Sequence, residues 1–257
     1  MPEHKHEFNN IKIHTQYSIC EGAIKIDDLS EICKKEKIKS IGICDSLNLC
    51  GALEFSEKLS KVGTHPIIGS QINFKYEDVI GKLPLFATTQ LAYKNLTKLS
   101  SKSYLENTKN HEPHCKIDKL YDHYEDLIVL SGSQFDFFGQ LFRLNKVTKI
   151  EEIFINFKSI FKDKFYLEIQ RHNENNEKNF ENLLLNLSKK LEIPLIASQE
   201  VYYLDKNMFE AHDALLCIGQ KDFVDNNKRE KLSNQHYLKN NEELNQLYHD
   251  IPEALEN

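Results

Sequence analysis

A chain of 257 residues with 40% hydrophobic and 28% charged residues has the composition of a globular domain and the length to bury a sizeable core. Its formal net charge of -6 argues against a segment whose main task is gripping nucleic-acid phosphates, because that task calls for a basic excess. No apolar run reaches the ~18 residues of a membrane span, and the charged segment 1–10 lacks a signal-peptide core, so a cytoplasmic protein without a membrane partner is expected.

Strand candidates fall at residues 11–14, 40–44, 66–74, 83–88, 126–131, 165–170 and 194–198, each short, apolar and bounded by polar, Gly or Pro residues. Helix candidates lie between them at 27–37, 51–61, 92–104, 150–161, 175–191 and 207–218. The pattern is clearest at 175–191, where Phe180, Leu183, Leu184, Leu187 and Leu191 share one helical face. About seven strand–helix units of this kind predict a mostly parallel sheet covered outside by helices, closed or nearly closed into a barrel. No G-x-G-x-x-G follows the first strand, which counts against a dinucleotide fold. No linker divides the chain, so residues 1–257 read as a single domain with a polar tail at 1–10 and a polar surface loop at 106–114. The motif Asp250-Ile251-Pro252-Glu253 reads as an N-cap and first turn, so 245–257 is expected to begin a connection to a longer polypeptide.

The six cysteines, Cys20, Cys33, Cys44, Cys50, Cys115 and Cys217, include no C-x-x-C pair. Cys33, Cys44 and Cys217 sit in apolar patterns, so buried reduced thiols are expected instead of a disulfide or zinc framework.

In a parallel α/β barrel, chemistry gathers at the C-terminal ends of the strands. Those ends carry His14-Thr15, Asp45-Ser46, Gln71, Ser131-Gly132-Ser133, Gln170-Arg171-His172 and Ser198-Gln199-Glu200. Polar groups converge there, yet imidazoles and carboxylates are too few for a cluster of divalent metals.

Successive blocks carry a specific likeness: IKIHTQYSICEGA (11–23), IGICDSLNLCGALEF (41–55), PIIGSQI (66–72), YKNLTKLSSKSYL (93–105), LIVLSGS (127–133), FYLEIQRHN (165–173), PLIASQEVYYLDKNMFEAHDALLCI (194–218), YLKNNEEL (237–244) and DIPEALEN (250–257). In this order they resemble the N-terminal PHP domain of bacterial DNA polymerase III alpha subunits. The resemblance implies a distorted barrel of seven β/α units, with a metal cluster for phosphoester hydrolysis in active members. It also implies which positions held the metals, and here they are altered. The opening His-x-His is Lys12 and His14, and the Asp before Gly-Ala is Glu21. A later His is Ser46 beside a retained Asp45, a Glu is Gln71, and the His opening the next strand is Lys82. The Cys or His after Ser-Gly is Ser133, and the closing Asp-x-His is Glu200 and Tyr202. An ammonium cannot ligate a metal and repels one, so no metal and no catalytic residue are expected in this segment.

In place of the metals, Lys12 is expected to form salt bridges with Glu21 or Glu200. Asp45 is expected to order the loop after the second strand through backbone N–H bonds. His172 and His212 are each read as hydrogen-bonded structural histidines, with a remnant ligand, a phosphate contact or a mouth-facing group as alternatives. His4 and His6 are read as a solvated tail, and Tyr17, Ser18 and Gly22 as turn and packing residues.

The function the resemblance implies is a non-catalytic module of a DNA-directed DNA polymerase. It would support the remaining polymerase domains of the same chain and dock the proofreading exonuclease (epsilon). Magnesium would sit in the polymerase region outside these residues, and DNA would be held mainly there. The competing readings are an active metal-dependent phosphoesterase, of proofreading or histidinol-phosphatase type, and a barrel that binds a small phosphorylated ligand without turnover.

Overall fold

The computed structural model describes residues 7–107, 112–226, 228–229 and 231–257. The His4-Lys5-His6 tail and part of the polar loop at 106–114 lie outside them.

The N-terminal half runs β1 (Lys12–Ile13), α1 (Ile26–Glu36), β2 (Ser40–Ser46), α2 (Ala52–Lys61), β3 (His65–Tyr76), β4 (Val79–Ala87) and α3 (Gln90–Leu105). Then follow β5 (Cys115–Lys116), α4 (Asp118–Tyr121), β6 (Leu127–Leu130), α5 (Phe137–Arg143), α6 (Val147–Phe161), β7 (Phe165–Ile169) and α7 (Glu177–Leu191). The chain closes with β8 (Leu195–Ala197), β9 (Glu200–Val201), α8 (Phe209–Gln220), α9 (Asn241–Leu247) and α10 (Glu253–Glu256).

Local chemistry sets several boundaries. Thr89 caps α3 by accepting the Ala92 N–H, and Asn240 with Glu243 forms a reciprocal capping box on α9. Glu192 ends α7 in the left-handed region at φ 50°. On α7, Phe180, Leu184 and Leu187 are buried, as the helical period requires.

The strand order is β8-β7-β6-β4-β3-β2-β1-β9, with β5 pairing β3 off that path. Every pairing is parallel except those of β4, which runs antiparallel to β3 and to β6. The reason is the connection: only Glu77 and Asp78 separate β3 from β4, with Glu77 at φ 52°, which suits a hairpin and is far too short for a parallel crossover. The architecture is therefore the expected distorted α/β barrel with mostly parallel strands and outer helices, but β3 and β4 form a hairpin in place of one β/α unit. The two ends of the sheet, β8 and β9, are joined by Ser198 and Gln199 alone, so the sheet curls back upon itself.

Apolar packing divides by location. The largest cluster lies beneath α3 to α7 and is rich in rings, with Phe138, Phe154, Phe157 and Phe165 meeting edge to face. A second cluster joins α1 and α2 to β1 and β2. A third, around Cys44, Phe86 and Leu130 with Ile11, Ile67, Ile128, Tyr166 and Ile196, lies toward the N-terminal ends of the parallel strands. All six cysteines are free, and Cys33, Cys44, Cys115 and Cys217 are buried. No helix among the described residues is long and apolar enough to cross a membrane. At the C-terminus, Pro252 instead of Asp250 occupies the N-cap position of α10, and Asp250 is drawn into an ion pair with Arg171 at 2.5 Å.

Candidate functional site

The opposite end of the barrel is polar. Lys12, on β1, is fully buried, and its Nζ lies 3.1 Å from Oε1 of Glu168 on β7 and 3.5 Å from Oε1 of Glu200 on β9. Burial opposes its charge, but Glu168 and Glu200 outweigh that penalty and hold the ammonium pKa above its ordinary value. Glu200 Oε1 also meets His14 Nε2 at 3.1 Å and accepts from Gln71 Nε2 at 2.5 Å. Burial pushes the Glu200 carboxyl up, and Lys12 and His14 together bring it well below the usual range.

A second ion pair sits nearer solvent. Lys82 Nζ donates to both oxygens of Glu21, at 2.9 and 2.8 Å, and to Ser46 Oγ at 3.0 Å. Ser46 Oγ in turn donates to Glu21. Burial raises the Glu21 pKa, and Lys82, with Ser46 and His14, lowers it by more, leaving it below normal. The expected Lys12 pairing therefore forms with Glu200 and not with Glu21, whose charge Lys82 takes. Lys82 does not open a strand: it lies within β4, opposite Asn73 of β3.

Between these pairs lies a cleft of about 190 Å³ whose lining includes Gln71, Lys82, Ser133, Asp136, Glu200 and Tyr202. Asp136 accepts from Ser133 N–H at 2.8 Å and Ser133 Oγ at 2.9 Å. Burial, with Glu200 nearby, pushes its pKa up to about 6. Tyr202 stacks on His14 with centroids 4.5 Å apart.

The neighbouring groups are structural. Asp45 accepts from Thr15 N–H at 2.6 Å, Thr15 Oγ1 at 2.7 Å and Ser18 Oγ at 2.6 Å. It thus orders the loop after β1, not the loop after its own strand, because β2 runs beside β1 and its end faces that loop. His172 Nε2 accepts the Glu200 N–H at 3.1 Å, its Nδ1 meets the Gln235 carbonyl at 3.3 Å, and its ring stacks on His236 at 3.9 Å. His212 Nε2 donates to the Glu21 carbonyl at 2.7 Å.

The mouth thus gathers Lys12, His14, Glu21, Ser46, Gln71, Ser133, Glu200 and Tyr202, with Asp45 and His172 in the layer that supports them. Sequence reasoning missed Glu168, Asp136 and His236. Glu168 carried a usable signal, since it is a lone charge inside the apolar run Phe165–Ile169. Asp136 precedes a helix that was not foreseen, and His236 lies in an irregular segment without a pattern.

The donor set does not suit the metals implied by the resemblance. Among the described residues, no group of three His, Cys, Asp or Glu is arranged to hold a metal ion. His14 and Glu200 share their space with an ammonium, which cannot ligate and which repels a second cation.

A distorted, mostly parallel barrel with polar groups converging at one mouth defines the class: an α/β barrel with lysines among the carboxylates of its mouth. The family described as PHP domain matches residues 10–172, and the chain belongs to that family. Glu200, Tyr202 and His236 lie beyond the matched stretch. Among curated proteins, the DNA polymerase III subunit alpha of Caulobacter vibrioides is 34% identical over 263 residues, covering 97% of this chain and 23% of that protein. The DNA polymerase III subunit alpha of Rickettsia bellii is 34% identical over 255 residues, covering 98% of this chain and 22% of that protein. The chain thus spans less than a quarter of the length of these relatives. Among solved structures, an amidohydrolase from Chromobacterium violaceum is 7% identical, with a TM-score of 0.48 over 76% of this chain and 87% of that one.

Proposed function

We propose that this chain is the N-terminal PHP module of a replicative DNA polymerase alpha subunit, serving there as a non-hydrolytic scaffold. Its work is to support the remaining polymerase domains of the same polypeptide and to dock the proofreading exonuclease. The observation that carries this reading is the fully buried Lys12 between Glu168 and Glu200, which puts a fixed positive charge where a hydrolytic barrel needs metal. Polymerisation, its magnesium ions and the main grip on DNA then belong to the rest of the polypeptide, in keeping with a net charge of -6 here. The cytoplasm is the compartment of such an assembly. A phosphate-binding barrel is disfavoured, because Lys12 and Lys82 already spend their charges on carboxylates.

Two measurements test the proposal. Purified chain mixed with the cognate exonuclease subunit should co-elute as a complex, and a folded chain that does not bind would remove the docking role. Phosphoesterase assays with manganese or zinc should stay at background. Turnover abolished by chelation would replace the scaffold with an active hydrolase.

A further inference from the structure

We propose that the cavity at the end of the barrel opposite the mouth is a docking site for an apolar side chain from the remaining domains of the same polypeptide. The inference rests on the scaffold reading above and deepens it, naming the surface by which the module holds the rest of its chain.

Side chains of β6, β7 and β8 alternate between the two faces of the sheet. Leu127, Val129, Phe165, Leu167 and Leu195 face the outer helices and are buried in the largest cluster. Ile128, Leu130, Tyr166 and Ile196 face the barrel interior and belong to the third cluster. A barrel interior is ordinarily a packed core, so the inward set should be as buried as the outward one. It is not: Leu130 is buried, but Ile128, Tyr166 and Ile196 are only half-buried, as are Ile11 and Ile67 beside them. Over a floor of Phe86 and Leu130, these side chains line a cavity of about 310 Å³, with Phe8 in one wall and Leu255 of α10 in another. Inward-facing apolar groups left open to water mark a surface that a partner covers.

The cavity offers shape and apolar surface, not the convergent polar groups that orient a small ligand. On its rim, Glu7 is taken by Lys39 Nζ at 2.6 Å, and Asn9 Oδ1 accepts from Ser40 Oγ at 2.6 Å. Asn257 Nδ2 donates to the Leu195 carbonyl at 2.9 Å, and Glu256 is exposed to water. The fitting occupant is therefore an aliphatic or aromatic side chain whose backbone stays outside. Polypeptide to supply it belongs to the same molecule, since the curated relatives share less than a quarter of their length with this chain. Asn257 stands in the cavity wall, so polypeptide joined there meets the cavity at the millimolar effective concentration of a short tether, where one modest apolar contact suffices.

The experiment is photo-cross-linking in the full-length polypeptide, with p-benzoylphenylalanine in place of Tyr166, followed by peptide mapping. Cross-links should fall on residues of the same polypeptide beyond position 257. Ile128→Glu, which sets a carboxylate among the apolar side chains, should reduce them at least about five-fold, because a charge resists burial beneath an apolar partner. In the 257-residue chain alone that carboxylate reaches water, so its melting temperature should move by no more than about 2 °C. Should Ile128→Glu not fold, Ile128→Thr, which keeps the branched shape, takes its place with the same direction of effect. Cross-links confined to residues 1–257, to a second copy or to a separate protein would overturn the inference, as would none at all or cross-links indifferent to the substitution. Each of those outcomes leaves the scaffold reading standing if the polypeptide still co-elutes with the exonuclease. Loss of co-elution in wild type, with cross-links still beyond position 257, would overturn exonuclease docking and leave this inference intact.

Discussion

The barrel mouth contains two lysine–carboxylate clusters of the same chemistry in different surroundings. Around Lys12 and Glu168 the side chains are fully shielded from water, whereas Lys82 is 21% and Glu21 34% exposed. Both lysines are held charged by their partners, and both must overcome burial to be so. The consequence of losing a partner differs greatly. In the outer pair, solvent and salt screen whatever charge is left behind. In the inner cluster nothing replaces a missing partner, so each group depends on all the others. The inner cluster is thus expected to matter far more to stability than the outer pair.

The sharpest way to break this contrast is Glu168→Ala. It leaves Lys12 with Glu200 as its one close carboxylate, and the expected loss is about 3–5 kcal/mol, or roughly 10 °C in melting temperature. Replacing the whole inner set at once, with Lys12→Met, Glu168→Gln and Glu200→Gln, should recover most of that loss, because no charge then stays buried without a partner. If the single variant melts within about 1 °C of wild type, the contrast fails, since the cost assigned to an unpaired buried charge would be missing.

Sequence reasoning reached the frame of this arrangement more readily than its wiring. Helices α1, α2 and α7 lie within two residues of where hydrophobic period placed them, because their buried faces repeat strictly. Helix α5 was missed: it spans only seven residues, Phe137, Phe138, Gly139 and Leu141 are buried, and Gln140 and Arg143 alone are too few to mark a helical period. The reversed direction of β4 was hidden by a Glu77-Asp78 turn with none of the glycine that usually announces a hairpin. At the mouth, the altered positions came from ordered family blocks, whereas Glu168 belongs to no altered position. Its partner is 156 residues away along the chain, a distance over which composition and period say nothing. The pairing of Glu21 with Lys82 instead of Lys12 is likewise a matter of which strands the fold sets side by side.

The buried carboxyl of Asp136 gives the contrast a pH dimension. Its pKa is raised to about 6, above the value of an unfolded aspartate, so the folded chain keeps a proton that the unfolded chain releases. Its contribution to stability is present below about pH 4 and is lost as pH rises through about 6. Glu200 and Glu21 act oppositely, since their lowered pKa values give stability that is lost as pH falls. The isolating measurement is therefore a difference between wild type and Asp136→Asn, which keeps an acceptor for Ser133 but cannot titrate. Relative to the variant, wild type should lose about 2 kcal/mol of unfolding free energy between pH 4 and 7. Parallel stability curves for the two proteins would show that folding does not raise the Asp136 pKa.

The outer pair supplies the smallest effect. Lys82→Ala removes the ammonium that Glu21 and Ser46 share, but Glu21 keeps its hydrogen bond from Ser46 and gains water at a site already a third open. The expected cost is about 0.5–1 kcal/mol at low salt, shrinking further as ionic strength rises because an exposed pair is screened. Chemical denaturation at low and high sodium chloride reads both numbers, provided a denaturant that is not itself a salt is used. A loss as large as that of Glu168→Ala, or one indifferent to salt, would mean that Lys82 belongs electrically to the inner cluster. The proximity of Asp136 and Glu200, both of which help to keep Lys82 charged, is what makes that outcome worth testing.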